Sequence, residues 1–127
     1  DFLPGIIHED QIIHMLVIFT GPKSILHTQG FFKRRLREDS IMTSKFSMRN
    51  MESYFTITAH LSKFADSHPM FREIIDLYLS RMLNAAVWLS YKIPFKDRLK
   101  IARRCLKEYR QYVTTKNLIV LLFKSFL

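Results

Sequence analysis

The sequence predicts a mainly α-helical chain with two short β-strands near its N-terminus. Apolar residues recur at three- and four-residue steps from Met48 onward, as in helices with one buried face. Upstream, a Pro4-Gly5 turn opens a further helical stretch, and Gln29-Gly30 separates two short strand-like segments. Two strands alone make a poor sheet, because an isolated hairpin is marginal in water. The strands are therefore expected to belong to a larger sheet, and the chain to be a fragment of a longer protein. Its opening, Asp-Phe-Leu-Pro-Gly, reads as a loop entering a helix.

The first helix is expected from about Ile7 to Phe19, with Ile12, Leu16 and Phe19 at helical spacing. Glu9 and Asp10 fall in its first turn, where the positive end of the helix dipole favours negative charge. Gly21-Pro22 ends it. Ser24 to Thr28 and Phe31 to Arg37 are the strand candidates, followed by a polar break at 37–40. A second helix is expected over 48–65 and a third from Pro69 to about Tyr91. The third is apolar over most of its circumference and so should be central; its narrow polar stripe is Glu73, Asp76, Ser80 and Asn84. After Pro94 a helix over 95–112 carries Phe95, Leu99, Ala102, Leu106, Tyr109 and Val113 on one face. Its other face carries Lys96, Lys100, Arg103, Lys107 and Arg110. A last helix starts near Asn117. Trp88, the methionines and Cys105 are expected in the core.

At 127 residues, about half of them apolar, the chain is sized for one small domain. Its formal charge of +9 is unevenly spread, with +8 on residues 92–127 and +4 on 33–49. That points to an anionic partner for the C-terminal third. The single cysteine excludes an internal disulfide and favours a reducing, cytoplasmic compartment. The longest apolar run, Leu118 to Phe123, is far short of the ~20 residues a membrane span needs.

The stretch PGIIHEDQIIH holds two acids and two histidines. A metalloprotease-type zinc helix needs histidines four residues apart, and the residue four on from His8 is Ile12. His14 lies about 240° round the helix from His8, so the imidazoles point apart. The zinc reading fails on that angle. The acids remain open to two readings: complements to the helix dipole, or a carboxylate placed to act as a general base.

LPGIIHED, followed downstream by FFKRRLREDSIMTS, resembles the C-terminal part of family 2 glycosyltransferases. The likeness is to bacterial enzymes that build capsular, exopolysaccharide or lipopolysaccharide chains. The matching positions are Glu9 and Asp10 for an acidic pair, then Phe31, Phe32, Arg35, Arg37, Ser40, Ile41, Met42 and Thr43. The specific motifs cover residues 2–46; over 47–127 the likeness is general. Relatives often carry tyrosines where Lys33 and Arg34 stand here.

The resemblance implies a GT-A (α/β) fold, with 1–46 as the last part of the catalytic domain and 47–127 as a C-terminal helical region. It implies inverting transfer of a sugar from a nucleotide-sugar to a saccharide or lipid-linked saccharide acceptor. Asp10 would be the catalytic base, Glu9 would support it, and His8 would line the acceptor side. Arg35, Arg37, Ser40 and Thr43 would lie against the donor diphosphate, for which guanidinium and hydroxyl donors are suited. The family also uses a divalent metal, Mg or Mn, at a D-x-D motif that this chain does not contain. Those ligands are expected in a preceding part, none are expected here, and the fragment alone should be inactive.

The basic C-terminal helices admit simple packing, or peripheral binding to an anionic membrane surface at the inner face of a bacterial membrane. Nucleic acid is disfavoured, since the basic helix has few amide side chains for base contacts. The alternative to a transferase is a non-catalytic helical module that binds a membrane or a partner helix. Exposed strand edges could also pair between copies, giving a dimer without physiological meaning.

Overall fold

The computed structural model describes residues 7–8, 10–21, 23 and 45–124. Five α-helices follow one another: α1 (Asp10–Thr20), α2 (Met48–Ser67), α3 (Arg72–Leu89), α4 (Phe95–Glu108) and α5 (Thr115–Phe123). Single 3₁₀ turns at Pro69–Phe71 and Ser90–Lys92 bracket α3. Among the described residues every regular element is helical, so the fold is all-α. This corrects the α/β expectation and the GT-A class with it. The two expected strands, at 24–28 and 31–37, lie outside the described residues. The physical reason is that the helices close a core on one another, with no sheet face to cover.

Local chemistry sets the helix ends. At the start of α2, Asn50 Oδ1 accepts from both the Ser47 N–H (2.9 Å) and the Ser47 hydroxyl (2.9 Å). Pro69 cannot continue α2, and the chain turns through a 3₁₀ step before α3. Pro94 stands at the N-cap of α4, and the Thr114 hydroxyl accepts from the Asn117 N–H to cap α5. Gly21 closes α1 by donating to the Val17 carbonyl at 2.8 Å. A Cβ there would lie 2.6 Å from that oxygen, so a larger residue would displace the turn.

The core is built from Ile12 of α1, Met51, Phe55 and Leu61 of α2, Ile75, Leu79 and Leu83 of α3, Ile101 and Cys105 of α4, and Leu118 and Leu121 of α5. As expected, α3 is central, lying between α2 and α5. Burial pushes the Cys105 thiol up to about 12, consistent with a core role and not a reactive one. Buried hydroxyls return to their own helix: Thr58 bonds the Tyr54 carbonyl and Ser90 the Ala86 carbonyl, each at 2.8 Å. Between α2 and α4, the Phe55 and Tyr109 rings stack 5.1 Å apart under the Arg104 guanidinium, which also pairs with Glu52 at 2.6 Å.

Two expectations about faces are revised, and the polar stripe of α3 proves to be a clamp. The polar stripe of α3 does not face water throughout: Asp76, Ser80 and Asn84 hold the segment between α4 and α5. The Ser80 hydroxyl and Asn84 Nδ2 both donate to the Tyr112 carbonyl, at 2.9 and 2.8 Å. Asn84 Oδ1 accepts from the Thr114 N–H at 3.0 Å and from Asn117 Nδ2 at 2.6 Å, and the Tyr112 hydroxyl donates to Asp76 at 3.0 Å. The buried seam of α4 is Arg98, Ile101, Ala102 and Cys105, leaving Phe95 and Leu106 exposed, while the cationic face is exposed as expected. Trp88 is 40 % exposed and Met70 is almost fully so, whereas Met51 and Met82 are buried.

Truncating Asn84 removes both ends of this clamp and leaves its backbone partners to compete for water. Asn84→Ala should destabilise the fold by about 1–3 kcal/mol in urea unfolding followed by circular dichroism, more than Ser80→Ala. Phe55→Ala, which opens the core, should cost about 3–5 kcal/mol by the same measurement.

Candidate functional site

The best-formed polar site gathers where α1 meets α2 and α3. The chain arrives at α1 pinned to α2, since the buried Ile7 N–H donates to the Ser53 hydroxyl at 2.8 Å. His8 follows with a φ of 67°, in the left-handed region that side chains seldom occupy. Its imidazole stacks on the Tyr54 ring at 5.3 Å, and its carbonyl accepts from the Gln11 N–H at 3.1 Å. This turn starts α1 at Asp10, whose side chain is exposed. The other end of α1 is fixed by Phe19, stacked on Phe71 at 4.9 Å and on Phe64 at 6.5 Å.

Beside Asp10, the Gln11 side chain reaches the neighbouring helices. Its Oε1 accepts from the Tyr78 hydroxyl at 3.0 Å, and Tyr54 stands in the wall of the same cleft. Gln11, Tyr54, Tyr78, Arg81, Met82 and Ala85 line a shallow cleft of about 420 Å³. Burial raises the pKa of both tyrosines; the Asp10 charge raises both further, and the Gln11 amide partly offsets this at Tyr54. The cleft thus offers aromatic faces, two hydroxyls and a guanidinium, and Asp10, at a helix N-terminus, directly precedes its Gln11 wall. A second, larger hollow of about 690 Å³ lies between the start of α2 and the turn before α4, with Lys45 and Lys92 in its wall.

Of the residues expected to act, the structure places His8 and Asp10 together at the start of α1. Glu9, Arg35, Arg37, Ser40 and Thr43 lie outside the described residues. Tyr54, Tyr78 and Arg81 were not singled out from sequence as site residues. Tyr54 and Tyr78 are spaced like core residues, and the signal that distinguishes them is a partner on α1 far away along the chain. Among the described residues no group of three His, Cys, Asp or Glu could hold a metal ion. His14 is exposed along α1 while His8 is turned onto Tyr54.

The raised tyrosine pKa values make a pH-dependent prediction. The unfolded chain loses its phenol protons near pH ~10, whereas the folded chain holds those of Tyr54 and Tyr78 longer. Their contribution to stability is complete below the unfolded value and is lost as pH rises through the folded one. Urea unfolding measured across that range should show stability falling above pH ~10. The double variant Tyr54→Phe/Tyr78→Phe should flatten the fall.

Compared with known proteins, the chain matches no family model, no curated protein and no solved structure.

Proposed function

We propose that this chain carries the acceptor side of an inverting glycosyltransferase. The reaction moves a sugar from a nucleotide-sugar to a hydroxyl of a saccharide or lipid-linked saccharide acceptor, as in surface-polysaccharide synthesis. The observation that carries the reading is Asp10, an exposed carboxylate at the first position of α1, directly before Gln11, which lines a cleft walled by Tyr54 and Tyr78. The likeness of LPGIIHED and FFKRRLREDSIMTS to family 2 glycosyltransferases supports it from the sequence. The reading uses the site and leaves aside the α/β fold.

In this reaction the Asp10 carboxylate takes the acceptor hydroxyl proton while that oxygen attacks the anomeric carbon. The new C–O bond forms on the face opposite the leaving group. The old one breaks with its electron pair departing on the nucleoside diphosphate. Proton removal becomes easier as the new bond forms, so a carboxylate suffices as base. The Tyr54 and Tyr78 rings suit the apolar C–H faces of a sugar ring, and their hydroxyls suit its oxygens. His8, locked by stacking and by its left-handed backbone, fixes where α1 begins and so where Asp10 points. It is a positioning residue. Arg35, Arg37, Ser40 and Thr43 are assigned to the donor diphosphate on the sequence likeness.

The test is nucleoside-diphosphate release by the intact protein from a panel of UDP- and GDP-sugars, with oligosaccharide and lipid-linked acceptors. Asp10→Asn should lower turnover by ~10²–10⁴-fold, the usual weight of a general base, with an unchanged melting temperature. Wild-type turnover in that variant would remove Asp10 as the base.

A further inference from the structure

An independent feature lies at the far end of α3. Trp88, Ile119, Val120, Phe123 and Lys124 enclose an almost wholly apolar groove of about 360 Å³. The residues that form it are open to solvent: Trp88 is 40 %, Ile119 54 % and Phe123 55 % exposed. The apolar run Leu118 to Phe123 of α5 is divided. Leu118 and Leu121 fill the core, while Ile119 and Phe123 face outward beside Trp88.

Cations surround this surface. Lys124 Nζ lies 4.3 Å from the Trp88 ring centroid and 4.0 Å from that of Tyr91, and Lys92 Nζ lies 5.8 Å from Tyr91. Lys116 precedes Ile119 by one turn on the exposed side of α5. Only two acids occur in residues 92–127, and both are paired: Asp97 with Lys100 at 2.8 Å, and Glu108 with Arg104 at 3.0 Å. The positive charge of this end of the molecule is therefore not neutralised from within the segment.

We propose that this surface docks on an anionic phospholipid bilayer. Trp88, Ile119 and Phe123 enter the head-group boundary, and Lys92, Lys116 and Lys124 meet lipid phosphates. Lysines lying over aromatic rings suit such a boundary, because the stem and ring stay apolar while the ammonium reaches the wet side. Base recognition in nucleic acid would instead call for amide or guanidinium side chains in the groove, and its walls have none. Among the described residues no helix is long and apolar enough to cross a membrane, so docking at the surface is the mode proposed.

The test is flotation of the intact protein with phosphatidylcholine vesicles, with and without phosphatidylglycerol, and it needs no transferase activity. The protein should float with the anionic vesicles, less so as salt is raised, and should stay unbound with the neutral ones. Lys124→Glu should lower partitioning at least about fivefold and Phe123→Ser about tenfold, with melting temperatures within a degree or so of the parent, since both side chains are on the surface. Failure to float with anionic vesicles, equal binding to both vesicle types, or unchanged binding by both variants would overturn the proposal. So would ultracentrifugation showing that the same variants dissolve a self-associated dimer formed through this face.

Discussion

The Asn84 side chain is the constraint on which the C-terminal half depends. One amide bonds to two backbone segments and one side chain: Nδ2 donates to the Ser80 and Tyr112 carbonyls, and Oδ1 accepts from Thr114 and Asn117. Ser80 and Asp76, each one turn earlier on α3, extend the same rail to Tyr112. The segment between α4 and α5 has no regular ladder of its own, so its buried polar groups need these partners. Fixing that segment fixes the entry of α5, and with it which α5 residues face the core. The outward position of Ile119 and Phe123 beside Trp88 thus goes with a polar interaction about one turn along α3.

A similar dependence orders the other end. The short helix α1 would be marginal alone in water. It is held by Ile7 on Ser53, His8 on Tyr54, Gln11 on Tyr78, and Phe19 in the Phe64–Phe71 cluster. These contacts place an exposed acid at a defined point against α2 and α3. The unusual φ of His8 fits this account, since a strained residue persists only where its surroundings over-determine it. The position of Asp10 is thus a tertiary property, although the acid itself is visible in the sequence.

Much of the helical architecture was legible. Proline and glycine punctuation and three-to-four spacing located all five helices, because those signals act within a few residues. Which way each face turned was less legible. Asp76, Ser80 and Asn84 read as a narrow polar stripe, and no local rule shows that residues 112–117 would come back to cover them. Trp88 read as core by residue type, yet it sits where α5 ends and no further helix among the described residues covers it. Tyr54 and Tyr78 fall at apolar helical spacing, and the α1 residue that meets Tyr78, Gln11, lies 67 positions away. The α/β expectation rested on two segments outside the described residues and on a likeness specific only over 2–46. The helices over which that likeness was merely general supply most of the core that decides the fold class.

The two ends are connected by α3 itself. Tyr78, Arg81 and Ala85 of the cleft and Trp88 of the apolar surface follow at three- and four-residue steps, so they run along one strip of the helix. From Tyr78 to Trp88 that strip spans about 15 Å at the rise of an α-helix. The polar layer on each side of a bilayer is about 5–8 Å deep, given the difference between core and total thickness. In the proposed docking, with Trp88 in the boundary and α3 upright, the Tyr78 end of the strip would stand just beyond the head groups. A saccharide carried on a lipid would present its hydroxyls at that height, whereas its anchor would lie against the apolar surface. The proposed docking surface and the tyrosine-walled cleft would thus stand at the two ends of one strip of α3, an arrangement suited to the proposed lipid-linked acceptor.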